Sequence, residues 1–547
     1  MTMSATEHDE KTATAGLSKA GLGAAAKATA QQWIEDNMGR LSLWHRHIWE
    51  LAEPAWREYK SAQWYVELLR AEGFTVEAGS GDMPTAFSAE WSQGSGGPVL
   101  LTYAEYDAVP GNCQSAGTEA APREGLSPYA PGHTDPHSAL GISTLAGLLG
   151  AKHAMTVHGI DGTLKYTGEP AEKVQGSKVV HGLRGYYDGV DAIVSFHPFY
   201  MLPLCNTARW DTQCGSYYSK VYTFVCDEPE TWQLNANPNS PIPASHSAAR
   251  APGANVALMA MYTNSRIMQD AMLPSFGGWS LSDAIFTQGQ ATADNLPARI
   301  AQIQYSWRCP TLEMAEHVLT VLDRNAEHAA AMAHCSLETT WVARNRPGRT
   351  NHVLAQALYD NLESVGAPQY GPAAIAAAQD IQRTLGLDPM EKPFLDECER
   401  LISPQDAEAA LREHLAPWQK NWTSDDYVEM THYAPTVRFY VSRPALKPAP
   451  GQGAYPGWVM NALGGIAETI DPTIEVAGKT IAGTFTDLLT SPDVLAAAKS
   501  EFDERVRADP MQALLPADFM PPTEFAWPDY SAAPDGGRVW YPKAARP

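Results

Sequence analysis

Val99-Leu100-Leu101-Thr102-Tyr103, followed at once by Ala104-Glu105-Tyr106-Asp107, decides how this 547-residue chain is read. An uncharged, continuously apolar run predicts a strand buried on both faces. Two carboxylates directly after it predict a polar C-terminal strand end. The pattern recurs: residues 164–167 lead into Gly168-Glu169-Pro170-Ala171-Glu172-Lys173, and residues 192–196 lead into His197-Pro198. Between the first two of these strands, His133-Thr134-Asp135-Pro136-His137 runs into an apolar, Gly- and Ala-containing helix over 138–155. Alternating strands and helices predict an α/β fold, a mostly parallel sheet with helices on both faces. Such sheets keep their chemistry at the C-terminal edge of the strands, where three histidines and several carboxylates would gather.

Further along, the pattern divides the chain. Residues 1–30 are polar and Ala-rich and predict a flexible N-terminal segment without the layout of a signal peptide. A helical period follows over 30–72, with Gly73 as its C-cap. Near residue 215 the character changes to two alternating strands (217–225 and 299–307) and two helices (255–270 and 312–331). This predicts an inserted α+β lid domain over 217–342, in β-α-β-α order. The catalytic domain is then 31–216 plus 343–508, with a charged helical insertion over 372–418. The tail, 509–547, is rich in Pro and aromatics and is expected to wrap the surface, because proline blocks regular pairing while the rings need apolar cover.

Composition removes some classes of function. A formal charge of -23 leaves no basic face for nucleic acid or an anionic membrane. No apolar run approaches the roughly 20 residues that span a bilayer. Seven scattered cysteines without C-x-x-C spacing indicate free, mostly buried thiols and a cytoplasmic setting.

Asp135 and His137 stand two apart around a stiff proline, and a hard oxygen with an imidazole suits Zn or Mn. Taken singly, each piece has an ordinary alternative: His137 as a helix cap, Asp135 as a turn residue, His197 as a core histidine. Their joint order favours a metal site with Glu172 as a neighbouring carboxylate.

The order strand–E-x-D–loop–(H-x-D-P-H)–helix–strand–(G-E-P-A-E-K)–helix–strand–(H-P) resembles the metallopeptidase and amidohydrolase family of aminoacylases, carboxypeptidase-G-type enzymes, auxin-conjugate hydrolases and aminobenzoyl-glutamate hydrolases. The resemblance spans roughly 40–365 and 420–500. It includes Ser245-His246-Ser247-Ala248-Ala249 with Pro252 and Gly253, the segment Asn295 and Pro297 ahead of Arg308, and Ala434-Pro435-Thr436. It implies a metal-dependent hydrolase of small-molecule amides, a lid that also dimerises, and a homodimer or higher homo-oligomer. Family members hold two metals about 3.5 Å apart. Here the bridging position matches Asp135 and the first-metal ligands match His137 and His197. The second-metal positions match Lys173 and, by a looser alignment, Tyr455. The resemblance with these departures implies one divalent ion per chain, Zn or Mn, with the Lys173 ammonium replacing the second. It casts Glu172 as general base toward metal-bound water, with a raised pKa, and Asp107 as the partner that orients a ligand histidine. His246 would polarise the substrate carbonyl. Arg308 reads either as a carboxylate binder beside Asn295 or as a surface residue at a strand end. Glu105 and His133 read equally as pocket or structural groups. Three functions stay open: hydrolysis of an N-acyl or aryl amide, hydrolytic deamination of an activated ring or amidine carbon, and non-catalytic metabolite binding.

Overall fold

The computed structural model describes residues 19–199, 203–227, 253–273, 277–288, 298–449, 451, 453–523, 530–532 and 538–540. Of the candidate site residues named above, His246 and Asn295 lie outside them.

The chain enters through helices α1 (Lys19–Leu51) and α2 (Tyr59–Ala71), then strands β1 (Thr75–Ala78), β2 (Phe87–Gln93) and β3 (Val99–Ala104). Helix α3 (His137–His158) leads to β4 (Gly162–Gly168), α4 (Ser177–Leu183), β5 (Ala192–Phe199) and the short β6 (Thr207–Ala208). The second unit comprises β7 (Ser216–Val225), α5 (Ala254–Met272), β8 (Ser280–Gln288), β9 (Ile300–Cys309), α6 (Leu312–Met332) and β10 (Ser336–Asn345). The first unit resumes with α7 (His352–Val365), α8 (Pro372–Thr384), α9 (Pro404–Arg412), β11 (Thr436–Ser442), α10 (Gly457–Gly465), α11 (Ala467–Thr490) and α12 (Pro492–Ala508). A small hairpin, β12 (Tyr530–Ala532) with β13 (Arg538–Trp540), lies in the tail.

The main sheet has seven strands in the order β1-β2-β4-β3-β5-β11-β6. The central four, β4-β3-β5-β11, are parallel, and the edges pair antiparallel. The expected α/β sheet flanked by helices is thus present. Its apolar central strands need cover, which α3 supplies together with α1 and α11, packed against one another. The approach of α3 to α11 is close enough that a Cβ on Gly147 would meet the Ile481 side chain at 2.5 Å.

Three readings are corrected. Helix starts at Lys19 rather than after residue 30, because Ala26 and Ala30 are buried against the core. The helical stretch 30–72 is two helices, broken between Leu51 and Tyr59, where Ala52 and Trp56 take left-handed backbone conformations. The inserted unit has four strands, not two, in antiparallel order β10-β7-β9-β8. β8 and β10 are the sheet edges, half-exposed and interrupted by bulges, so neither carries a clear apolar alternation. The stretch 372–418 contains α8, a 3-10 turn over Asp396–Glu399 and α9, under an apolar cluster that includes Tyr370, Ile381, Phe394 and Leu463. In the tail, Leu515 and Phe519 pack with Trp56, Met83 and Val180. All seven cysteines are free thiols, six of them buried. Among the described residues no helix is long and apolar enough to cross a membrane.

Candidate functional site

Parallel order brings the C-terminal ends of β3, β4 and β5 side by side, and the polar segments meet there. β3 ends at Ala104 and delivers Glu105 and Asp107. α3 begins at His137, directly after Asp135-Pro136, and β5 carries His197 near its end. After β4 the chain turns through Ala171, whose φ of 57° is left-handed and costly for a residue with a Cβ. The turn is held by the buried Glu58 carboxylate, which accepts from Ala171 N–H at 2.7 Å and from the Thr85 hydroxyl at 2.9 Å. Glu172 and Lys173 follow in a 3-10 turn that points them at the histidines.

His137 is fully buried, and its Nδ1–H donates to Asp107 Oδ1 at 2.6 Å and to the Asp107 carbonyl at 3.1 Å. That fixes the tautomer and leaves the Nε2 lone pair facing inward. Around Nε2 stand Glu105 Oε2 at 3.2 Å, Glu172 Oε2 at 3.5 Å and Asp135 Oδ2 at 3.7 Å. His197 Nε2 lies 3.3 Å from the other Asp135 oxygen, Oδ1, while its Nδ1–H donates to the Pro198 carbonyl at 2.8 Å. The Lys173 ammonium sits among these groups, 2.7 Å from both Asp135 Oδ2 and Glu172 Oε2 and 3.1 Å from His137 Nε2. Its own backbone N–H binds Asp107 Oδ2 at 2.9 Å.

Charge state follows from this crowding. Burial and Lys173 push the His137 pKa down, but Asp107 and Glu105 outweigh them and lift it to about 9. Burial takes His197 down to about 4, which leaves a neutral imidazole. The expected raised pKa of Glu172 is not found. Burial does raise it, yet Lys173 and His137 overcome that effect and bring it to about 2. Against a similar burial cost, Lys173, His197 and His137 hold Asp135 well below the usual carboxylate range.

The donors suit a divalent cation. Two carboxylate and histidine sets, Glu105 with His137 and His197, and Asp135 with His137 and Glu172, each converge within 4.8 Å. Glu105 Oε2 is also buried outside hydrogen-bonding geometry to any partner. Neutral imidazoles and carboxylate oxygens are Zn or Mn ligands. On the far side of Asp135 the lysine ammonium already fills the space.

A second buried network backs this cluster, and sequence reading missed it. Lys178 on α4 reaches Glu105 Oε1 at 2.8 Å and Asp426 Oδ1 at 2.6 Å, all three side chains fully buried. Asp425 pairs with Arg438 of β11, which also donates to the Tyr103 hydroxyl at 2.9 Å and to Ser195 Oγ at 2.8 Å. The available signal was Ser424-Asp425-Asp426 just ahead of a buried strand. Arg308 donates to Ser424 Oγ at 2.9 Å and lies over the Tyr217 ring, at the edge of this network. His133 is buried away from the cluster, its Nε2 3.3 Å from the Ile48 carbonyl. Tyr455 is not brought to the cluster: its hydroxyl accepts from Gln382 of α8 at 3.0 Å, in the apolar packing around Phe394. A loose alignment across the Gly/Pro-rich loop misled that assignment.

No protein-family model matches the chain. It is 27% identical over 342 residues to a p-aminobenzoyl-glutamate hydrolase of Escherichia coli (strain K12), covering 62% of this chain and 65% of the relative. The chain therefore spans just under two thirds of the length of that relative. Among solved structures, a proposed aminohydrolase from methicillin-resistant Staphylococcus aureus superposes with a TM-score of 0.51 at 13% identity, over 85% of this chain and 100% of that one. An aminobenzoyl-glutamate utilization protein from Klebsiella pneumoniae gives 0.49 at 14% identity, over 84% and 98%. The first of these shares the fold, and the curated relative bears out the resemblance to aminobenzoyl-glutamate-type hydrolases read from the motifs.

Proposed function

We propose that the chain is a metal-dependent hydrolase that cleaves a C–N amide bond in a small N-acyl or aryl-amide substrate. The observation that carries this reading is the convergence of Asp135, His137, His197 and Glu172 around one point, with Asp107 fixing the His137 tautomer. Asp135, His137 and His197 would hold one divalent ion, Zn or Mn, which when bound supplies Lewis acidity toward water and the scissile carbonyl. Glu172 is ionised beside that point and takes the proton of the attacking water. A C–O bond forms, the proton passes from Glu172 to the departing nitrogen, and the C–N bond breaks. Lys173 keeps an ammonium N–H where negative charge develops on the substrate oxygen. Arg308, anchored by Ser424, would receive a substrate carboxylate, and His246 with Asn295 would close the site from the second unit. Tyr455, turned toward Gln382, has no part in this reading.

The exposed apolar residues of α5, Val256, Met259 and Ile267, fit a homodimer formed through the second unit. The test is turnover by Zn- or Mn-loaded protein on a panel of aryl and N-acyl amides that includes p-aminobenzoyl-glutamate, with Glu172→Gln as control. Amide cleavage that disappears in the variant supports the reading. Release of ammonia from ring amines or amidines, with no amide cleaved, would replace it by hydrolytic deamination.

A further inference from the structure

β10 leaves the second unit through Asn345-Arg346-Pro347-Gly348-Arg349-Thr350. With the start of α6, the end of α12 and the loop after α9, this connection walls a cavity of about 980 Å³. In a chain of charge -23, five Lys and Arg side chains line it against three carboxylates. Those carboxylates are already engaged or turned outward. Glu408 accepts from the Thr212 N–H at 2.9 Å and its hydroxyl at 2.6 Å, Asp211 pairs with His352 at 2.7 Å, and the Asp509 side chain is 84% exposed.

The cations of the wall are not fully used. Arg346, 8% exposed, pairs with Glu429 at 2.7 Å and with the Gln512 carbonyl, yet its Nε–H has no hydrogen-bond partner. Arg349, its side chain 9% exposed, spends Nη2 on Asp509 and leaves both Nε and Nη1 unpartnered. The buried Thr350 hydroxyl beside it also lacks a partner. His432 adds no donor, since its Nε2–H is used on the Pro347 carbonyl at 3.0 Å. A buried donor left unpaired costs about 1–3 kcal/mol, and several on one wall call for an acceptor. Guanidinium groups match phosphate and carboxylate oxygens, in pairs where geometry allows.

We propose that this cavity binds an anionic small molecule through its phosphate or carboxylate group. Arg346, Arg349 and Thr350 recognise the anion, and the exposed Lys420 draws it in. The site is separate from the Asp135–His137 cluster and holds whether or not that cluster hydrolyses amides. One 3-10 segment, Asp426–His432, joins them: Asp426 grips Lys178 at one end and Glu429 grips Arg346 at the other.

Calorimetric titration of the full chain with inorganic phosphate, and separately with succinate, at fixed low salt tests the proposal. Binding of either anion is expected, weakened about tenfold or more in Arg349→Gln and unchanged in Glu172→Gln, tenfold being about 1.4 kcal/mol. Phosphate alone would identify a phosphate-bearing ligand, succinate alone a carboxylate. Lys420→Ala, on the exposed rim, gives a smaller weakening and carries the test if Arg349→Gln does not fold. No binding of either anion, or equal binding by wild type and both cavity variants, would overturn it.

Discussion

Asp107 reaches His137 Nδ1 at 2.6 Å with one oxygen and Lys173 N–H at 2.9 Å with the other, so one carboxylate positions both an imidazole and an ammonium. Its removal in Asp107→Ala should lower metal affinity about 10–100-fold, the usual effect of losing such a partner, as read by competition with a chelator. Glu172→Gln should cost turnover on the order of 10²–10⁴-fold while metal content stays at the wild-type level. A variant that turns over at the wild-type rate would remove Glu172 from the chemistry. At this scale the sequence is legible where spacing is short. Asp135-Pro136-His137 and Glu172-Lys173 announce themselves, because two residues on one turn share a direction. Lys178, Asp426 and Arg438 do not, since their meeting depends on packing across hundreds of residues and each alone looks like an ordinary charge.

Among the elements, α2 begins beside a buried acid. Glu53 accepts from the backbone N–H of Lys60 at 3.1 Å and of Ser61 at 2.8 Å, capping the first turn. Burial outweighs these donors and lifts its pKa from 4.5 to about 7. Between those values the folded chain holds a proton that the unfolded chain has released, so stability falls as pH rises through the window, by roughly 3 kcal/mol in all. Glu53→Gln, which keeps the acceptor without the charge, should flatten the dependence of the urea midpoint on pH between about 4.5 and 7. An unchanged slope would contradict this. At the crossing of α3 and α11, Gly147→Ala forces Ile481 aside and should cost about 1–3 kcal/mol in thermal or urea unfolding. The central strands were legible because burial on both faces leaves a continuous apolar run. The edge strands β8 and β10 were not, because half-exposed, bulged strands keep polar residues at inward positions.

For the whole molecule, the exposed face of α5 predicts self-association. Ile267→Glu should shift sedimentation toward the monomer, and an unshifted value would free that face of the role. The central claim is that one lysine ammonium stands where a second cation would sit, which makes the site mononuclear. Elemental analysis of protein purified without added metal, beside His197→Ala, tests it most directly. The account predicts close to one divalent ion per chain, lost in the variant. Two ions per chain, or none in either protein after reconstitution, would contradict it.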